Sequence, residues 1–189
     1  MALQTVTYQL RSSQPLIQHN GQLADPLNQW SRLLKQITSK RKKTDADFEE
    51  MARVEFMGGL YMAKDGPVIP ADALSAMIIA AAKKSREGEL AKTGVFVEDH
   101  ARLEYDGPRD ADALWKAGTF RDTRSVRVSM NRIQRTRPIF HDWSATVAFV
   151  VDDEIVNPAR LDDWMYAAGR IIGLLDFRPR YGRFTAQRV

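Results

Sequence analysis

Two hydrophobic periods alternate along this chain, and together they restrict its fold more than any other feature. Gln4–Leu10 sets Val6, Tyr8 and Leu10 against Thr5, Thr7 and Gln9, the period of two expected of a half-buried strand. After a turn through Pro15–Gly21 and Pro26, the apolar residues Leu27, Trp30, Leu33, Leu34 and Ile37 recur at helical spacing. Thr44 followed by Asp45 and Asp47 marks the start of a second helix, which runs to about Phe56 and is stopped by Gly58-Gly59. Leu60–Ala63 reads as a short strand entering the turn Lys64-Asp65-Gly66. Ala71–Ser85 is an alanine-rich helix with Leu74, Met77, Ile78 and Ala81 on one stripe and a basic end.

Strands are expected at Val95–Glu98 and Leu103–Tyr105, followed by an insertion over 106–119. Ser125–Met130 alternates Val126 and Val128 with Arg127 and Ser129, which points Arg127 away from the apolar face. Ile133–Ile139 and the strongly apolar Trp143–Val151 follow as strands. The last helix runs from Pro158 to about Ile172, burying Leu161, Trp164, Met165, Ala168, Ile171 and Ile172, and a loop over Gly173–Gly182 leads to a closing strand at Arg183–Gln187. The hairpin-like pairing in the middle makes this an α+β chain with an antiparallel sheet.

At 189 residues the chain is long enough for one domain with a real core. It contains no cysteine, which excludes a disulfide scaffold and thiolate metal sites and fits the cytoplasm. Gln4, Thr5, Thr7 and Gln9 interrupt the apolar run that a signal peptide needs, so export is not expected. The longest apolar stretch, Ala76–Ala82, is far shorter than the roughly 20 residues that cross a bilayer, so no membrane partner is expected. Charge is uneven: residues 120–189 hold twelve basic and eight acidic residues, and all twelve bases are Arg. A planar, permanently charged fork fits phosphates and stacks on bases.

Three segments, in this order along the chain, resemble the repeat-associated mysterious protein (RAMP) superfamily, the ferredoxin-like modules of CRISPR ribonucleoproteins. They are the first strand with its exit Ser13-Gln14-Pro15-Leu16-Ile17, the helix start Val68-Ile69-Pro70-Ala71-Asp72-Ala73-Leu74 with Lys83-Lys84 beyond it, and Gly169–Phe184, which resembles a C-terminal glycine-rich loop. The chain departs from the family pattern where Ala71, Asp72 and Ala76 replace the usual Gly and Ser, and at Leu174-Leu175-Asp176-Phe177. The exit from Leu174 to Phe184 is also similar to that of phage and prophage proteins. The resemblance implies a single domain over 1–189, ferredoxin-like with helices on one face, carrying inserted segments near 20–58 and 106–120. It also implies single-stranded nucleic acid as partner, RNA ahead of DNA, and a homo-oligomer or filament along the strand.

The residues carry that chemistry most clearly in the glycine-rich loop. Arg178, Arg180 and Arg183 surround Phe177 and Tyr181, and phosphates pair with Arg while bases stack on aromatic rings. Support is expected from the run Lys40, Arg41, Lys42 and Lys43, and from Arg127, Arg132, Arg135 and Arg137 lining one sheet face beside the loop. No cofactor is expected, because Walker, G-x-S-x-G and Rossmann patterns are all missing, and no His spacing suits a metal. Asp152-Asp153-Glu154 reads as a turn. The resemblance leaves His19 as the catalytic candidate, in the neighbourhood where a related processing enzyme carries its cutting histidine, and Asp25 as a weaker counterpart of a cutting aspartate. The leading expectation is therefore a non-catalytic binding protein, and the enzyme alternative is a metal-independent endoribonuclease using His19. A third class is a phage protein that binds a host defence complex through Trp30, Trp115 and Trp143.

Overall fold

The computed structural model describes residues 3–189; the side chain of Val128 lies outside that description. Ten strands and six α-helices run in the order β1 (Leu3–Ser12), β2 (Leu16–Ile17), α1 (Gln29–Thr38), α2 (Asp45–Gly59), β3 (Met62–Ala63), β4 (Gly66–Ile69), α3 (Ala71–Ala82), α4 (Gly88–Gly94), β5 (Val95–Phe96), β6 (Ala101–Arg102), α5 (Ala111–Ala117), β7 (Arg121–Val128), β8 (Asn131–Phe140), β9 (Ser144–Asp152), α6 (Pro158–Ala167) and β10 (Phe184–Arg188) among the described residues. The protein is α+β with antiparallel sheets, as the alternating periods predict. Among the described residues no helix is long and apolar enough to cross a membrane.

The chain divides into two compact units. One takes the chain up to Leu16, Ala63–Asp106 and Phe140–Val189; the other takes Ile17–Met62 and Gly107–Ile139. The first is built on a four-stranded antiparallel sheet ordered β10-β1-β9-β5, so the last strand lies beside the first. In chain order its sheet strands and two longest helices alternate as strand, helix, strand, strand, helix, strand. Strand β1 buries Val6, Tyr8 and Leu10, and β9 buries Ala145, Val147, Phe149 and Val151. The apolar stripes of α3 (Leu74, Met77, Ile78) and α6 (Leu161, Trp164, Met165) are buried as well, and the two helices contact each other. The Tyr8 hydroxyl donates to Asp162 on α6 at 2.5 Å, and burial together with that carboxylate pushes its pKa up. Thr5, Thr7, Gln9 and Arg11 sit on the opposite, more open face.

Several local expectations change. The last helix is not one regular α-helix: α6 ends at Ala167 and continues as a π turn over Ala168–Ile172. A wider turn shifts the 3.6-residue period, so Ile171 is 46% exposed rather than buried. Helix α3 stops at Ala82, and Lys83–Ser85 tightens into a 3₁₀ turn closed by Arg86 in the left-handed region at φ 64°. The strand expected at Val95–Glu98 shortens to Val95–Phe96; the one expected at Leu103–Tyr105 is reduced to an antiparallel bridge between Glu104 and Ser144, and a two-residue strand forms just before it at Ala101–Arg102, paired with Ile69 and Val68. Trp143 is 3% exposed and its Nε1 donates to the Gln14 carbonyl at 3.0 Å, so it belongs to the core and cannot anchor an external partner.

In the second unit, β7 and β8 form a long antiparallel ribbon, joined through β8 to β2. Thr44 and Asp47 form a reciprocal capping box at the start of α2, as their spacing predicts. Helix α1 starts only after Asn28, whose side chain accepts from Trp30 N, so Leu27 falls outside the helix. None of its residues is fully buried, and Leu27 and Leu33 are exposed. Trp30, Leu34 and Ile37 on its apolar stripe are half-buried. Gly58 of α2 lies close against it: an added Cβ there would lie 2.9 Å from the Trp30 Cβ. The segment expected only as an insertion over 106–119 contains α5, N-capped by Asp110 through Ala113 N at 2.9 Å.

Candidate nucleic-acid interface

The glycine-rich loop belongs to the four-stranded unit. Its backbone is fixed by its own chain: Gly173 N donates to Ala168 O, Leu174 N to Gly182 O, and Gly182 N to Pro15 O at 2.7 Å. Gly173 and Gly182 have φ of +76° and +69°, which L side chains rarely adopt, and a Cβ at Gly182 would lie 2.0 Å from the Leu174 carbonyl oxygen. The close backbone approach expected from these glycines is thus used inside the fold. What remains on the surface is the charged set. Arg178, Arg180 and Arg183 are exposed, and Tyr181 is half-buried. The Phe177 and Tyr181 rings lie 6.3 Å apart, the Arg180 guanidinium is 5.9 Å from the Tyr181 ring centre, and Arg183 Nε donates to Pro179 O at 2.7 Å. Phe184 is buried and holds the loop exit in the core.

The ribbon belongs to the other unit, and its register separates the arginines that were expected to share one face. Arg124 pairs with Arg135, Asp122 with Arg137 and Val126 with Ile133, while Arg127 pairs with Arg132. Directly opposed residues share a face and neighbours along a strand alternate, so Arg135 and Arg137 lie on one face and Arg127 and Arg132 on the other. The face carrying Asp122, Arg124, Val126, Ile133, Arg135 and Arg137 is half-buried throughout. There Arg124 is paired with Asp122, and Arg135 with the buried carboxylate of Glu55, which also accepts from Thr136 N at 2.9 Å. Arg135 is therefore part of the fold's own electrostatics. A buried carboxylate without a cation would be strongly unfavourable.

The basic run before α2 is also partly committed. Lys40 bridges to Asp47 at 2.5 Å, and that hydrogen bond holds the Asp47 carboxyl at a pKa of about 2. Lys43 Nζ donates to the Lys40 carbonyl at 2.9 Å, while Arg41 and Lys42 are exposed. His19 is exposed and lines a cleft of about 320 Å³ with Asn20, Arg135 and Arg137. Asp25 caps a turn by accepting from Leu27 N at 2.9 Å. Asp152 likewise accepts from Glu154 N at 3.1 Å, the turn expected of the acidic triplet.

The structure adds Glu55, which the sequence reading passed over. A single carboxylate between Val54 and Phe56, on the half of α2 that is otherwise apolar, was the signal that a buried cation partner must exist. Of the expected site residues, Arg178, Arg180, Tyr181 and Arg183 come together in the loop. Lys40 to Lys43, Arg135, Arg137 and His19 belong to the second unit. A scan against models of known protein families finds no match, and a search of curated proteins finds none.

Proposed function

We propose that this protein is a ferredoxin-like, RAMP-like module that binds single-stranded nucleic acid, RNA in preference to DNA, through the loop from Gly173 to Arg183. The strand order β10-β1-β9-β5 with α3 and α6 as its connections is what a ferredoxin-like sheet requires, and it supports the fold part of the reading. The observation that carries the binding part is three exposed Arg grouped around Phe177 and Tyr181 on a backbone fixed by hydrogen bonds. Single strands are held by aromatic platforms interleaved with cations. Assembly into a homo-oligomer along the strand follows from the family resemblance. The test is binding of a single-stranded RNA to wild type and R178A/R180A across salt. Losing two phosphate contacts lowers the salt slope by about 1.4, at roughly 0.7 per contact. Unchanged affinity and slope overturn the role of the loop.

A second reading, a metal-independent endoribonuclease, is favoured by the cleft that His19 shares with Arg135 and Arg137. In that chemistry a ribose 2′-hydroxyl attacks the adjacent phosphorus and the 5′-oxygen leaves, with an imidazole moving the proton. A cleavage product that disappears only in His19→Ala would move this reading to first place.

A further inference from the structure

Strand β8 has an open edge. In an antiparallel ladder the backbone groups of successive residues point alternately towards the partner strand and away from it. Ile139 N donates to Phe120 O on the β7 side, whereas the Pro138 carbonyl accepts from Gln18 N, and Thr136 N donates to the Glu55 carboxylate at 2.9 Å. The even-numbered residues of β8 therefore turn their N–H and C=O groups away from β7. On that side lies β2, which is only Leu16–Ile17. The backbone groups of Gln134 and Arg132 meet no further strand and no side chain among the described residues. Such an edge is a template for another strand.

Helix α2 leaves room for one. Its C-terminal end is close to β8: a Cβ at Gly59 would lie 3.1 Å from the Pro138 Cδ, and Glu55 reaches Thr136. Nearer the start of α2, a groove of about 800 Å³ lies between helix and ribbon. Phe48, Met51 and Ala52 line it from α2 and Ile133 from β8, and Phe48 is 56% exposed. A strand laid there would take its main-chain hydrogen bonds from β8 and bury alternate side chains in the groove, which is how extended peptides join an exposed sheet edge.

Charge selects the occupant. Residues 121–140 contain six Arg and one Asp, a net charge of +5, so pairing with the same edge of a second copy would bring like charges together. Within the groove the charges are divided. Glu55 is taken by Arg135, Asp45 and Glu49 stand on the α2 side with Lys43, and Arg132 is exposed on the ribbon without an ion pair among the described residues. Opposite charges facing across a ladder stabilise it, so the position opposite Arg132 favours a carboxylate.

We infer that the groove between α2 and the open edge of β8 binds an extended peptide segment of another protein, which adds as a strand with an acidic side chain opposite Arg132 and an apolar one two positions away, opposite Gln134. This site is independent of the loop and goes beyond the nucleic-acid reading. The test selects binders to the full chain from a displayed library of random ten-residue peptides and synthesises the best of them. The selected peptides are expected to share an apolar residue two positions from Asp or Glu. Methylating one alternate set of their amide nitrogens weakens binding about tenfold or more, and methylating the other set changes it by less than about twofold, because only one edge of an added strand faces β8. Arg132→Glu shifts the selected residue from acidic to basic. Gln134→Pro deletes the open N–H without touching the ladder to β7 and weakens binding about tenfold; if that variant does not fold, the methylated peptides and Arg132→Glu decide the matter. A library that yields no binder, equal losses from both methylated sets, or an acidic preference unchanged in Arg132→Glu each overturns the inference. Single-stranded RNA that displaces the peptide, with Arg132→Glu weakening both alike, makes the groove a nucleic-acid site and also overturns it.

Discussion

The glycine-rich loop and the β7–β8 ribbon are both rich in Arg, yet they hold it in opposite ways. In the loop the backbone is pinned: Gly182 has no room for a Cβ, Gly169 approaches the Phe184 carbonyl, and the charged side chains stand off a fixed frame around two aromatic rings. In the ribbon the backbone is a regular ladder, and it is side chains that are pinned: Arg124 by Asp122, Arg135 by Glu55 and Arg121 over the Trp115 ring. The lesson is that a count of arginines is a poor guide to an interface. Arg135 and Arg178 are indistinguishable in composition, but one stabilises a buried carboxylate and the other is exposed.

The largest effect expected from this contrast is at Gly182. Gly182→Ala places a methyl group against the Leu174 carbonyl in a left-handed backbone, and strain and overpacking together cost roughly 3–5 kcal/mol in urea unfolding. A variant as stable as wild type would mean that the loop is not rigidly held. Next comes the ribbon. Arg135→Ala leaves the buried Glu55 carboxylate without its guanidinium and is expected to cost about 2–3 kcal/mol, less than for a fully enclosed pair because Arg135 is partly exposed. Arg132→Ala, at an exposed residue on the other face of the ribbon, should stay within about 0.5 kcal/mol, so equal losses for the two would erase the distinction between these arginines.

A smaller effect tests the frame that carries the loop. Glu87 accepts hydrogen bonds from Arg160, Ser85 and Trp164, and these hold its carboxyl at a pKa of about 2, below its ordinary 4.5. Its contribution is therefore fully present above pH 4.5 and is lost as pH falls towards 2. Glu87→Gln should lower the melting temperature at neutral pH, and the gap to wild type should narrow once the pH drops below that range. A gap that widened in acid would contradict the assignment. The least effect is expected at the ribbon turn, where Met130 is 86% exposed; Met130→Ser should change stability by less than about 0.5 kcal/mol.

Much of the frame was legible where one local rule decides the outcome. Val6, Tyr8 and Leu10 alternate because one face of β1 is buried, and Thr44 and Asp47 start α2 because together they satisfy its first amide groups. What was not legible depended on partners distant in sequence. The strand expected at Val95–Glu98 ends at Phe96, where its pairing with β9 stops, and the apolar stripe of α1 gave no sign that none of its residues would be fully buried. The π turn after Ala167 carries no signature in residue type, so Ile171 was assigned to the wrong side. For the candidate site, the loop set was readable from its interleaved Arg and aromatic residues. The ribbon set was not, because choosing between Arg135 and Arg132 needs the register and the position of Glu55.

The most direct test of nucleic-acid binding is to purify the full chain in low salt and compare its ultraviolet absorbance ratio and size-exclusion profile before and after nuclease treatment. A large, nucleic-acid-rich species that collapses on nuclease treatment is the predicted result. A particle without nucleic acid, unchanged in size by nuclease, would contradict the account.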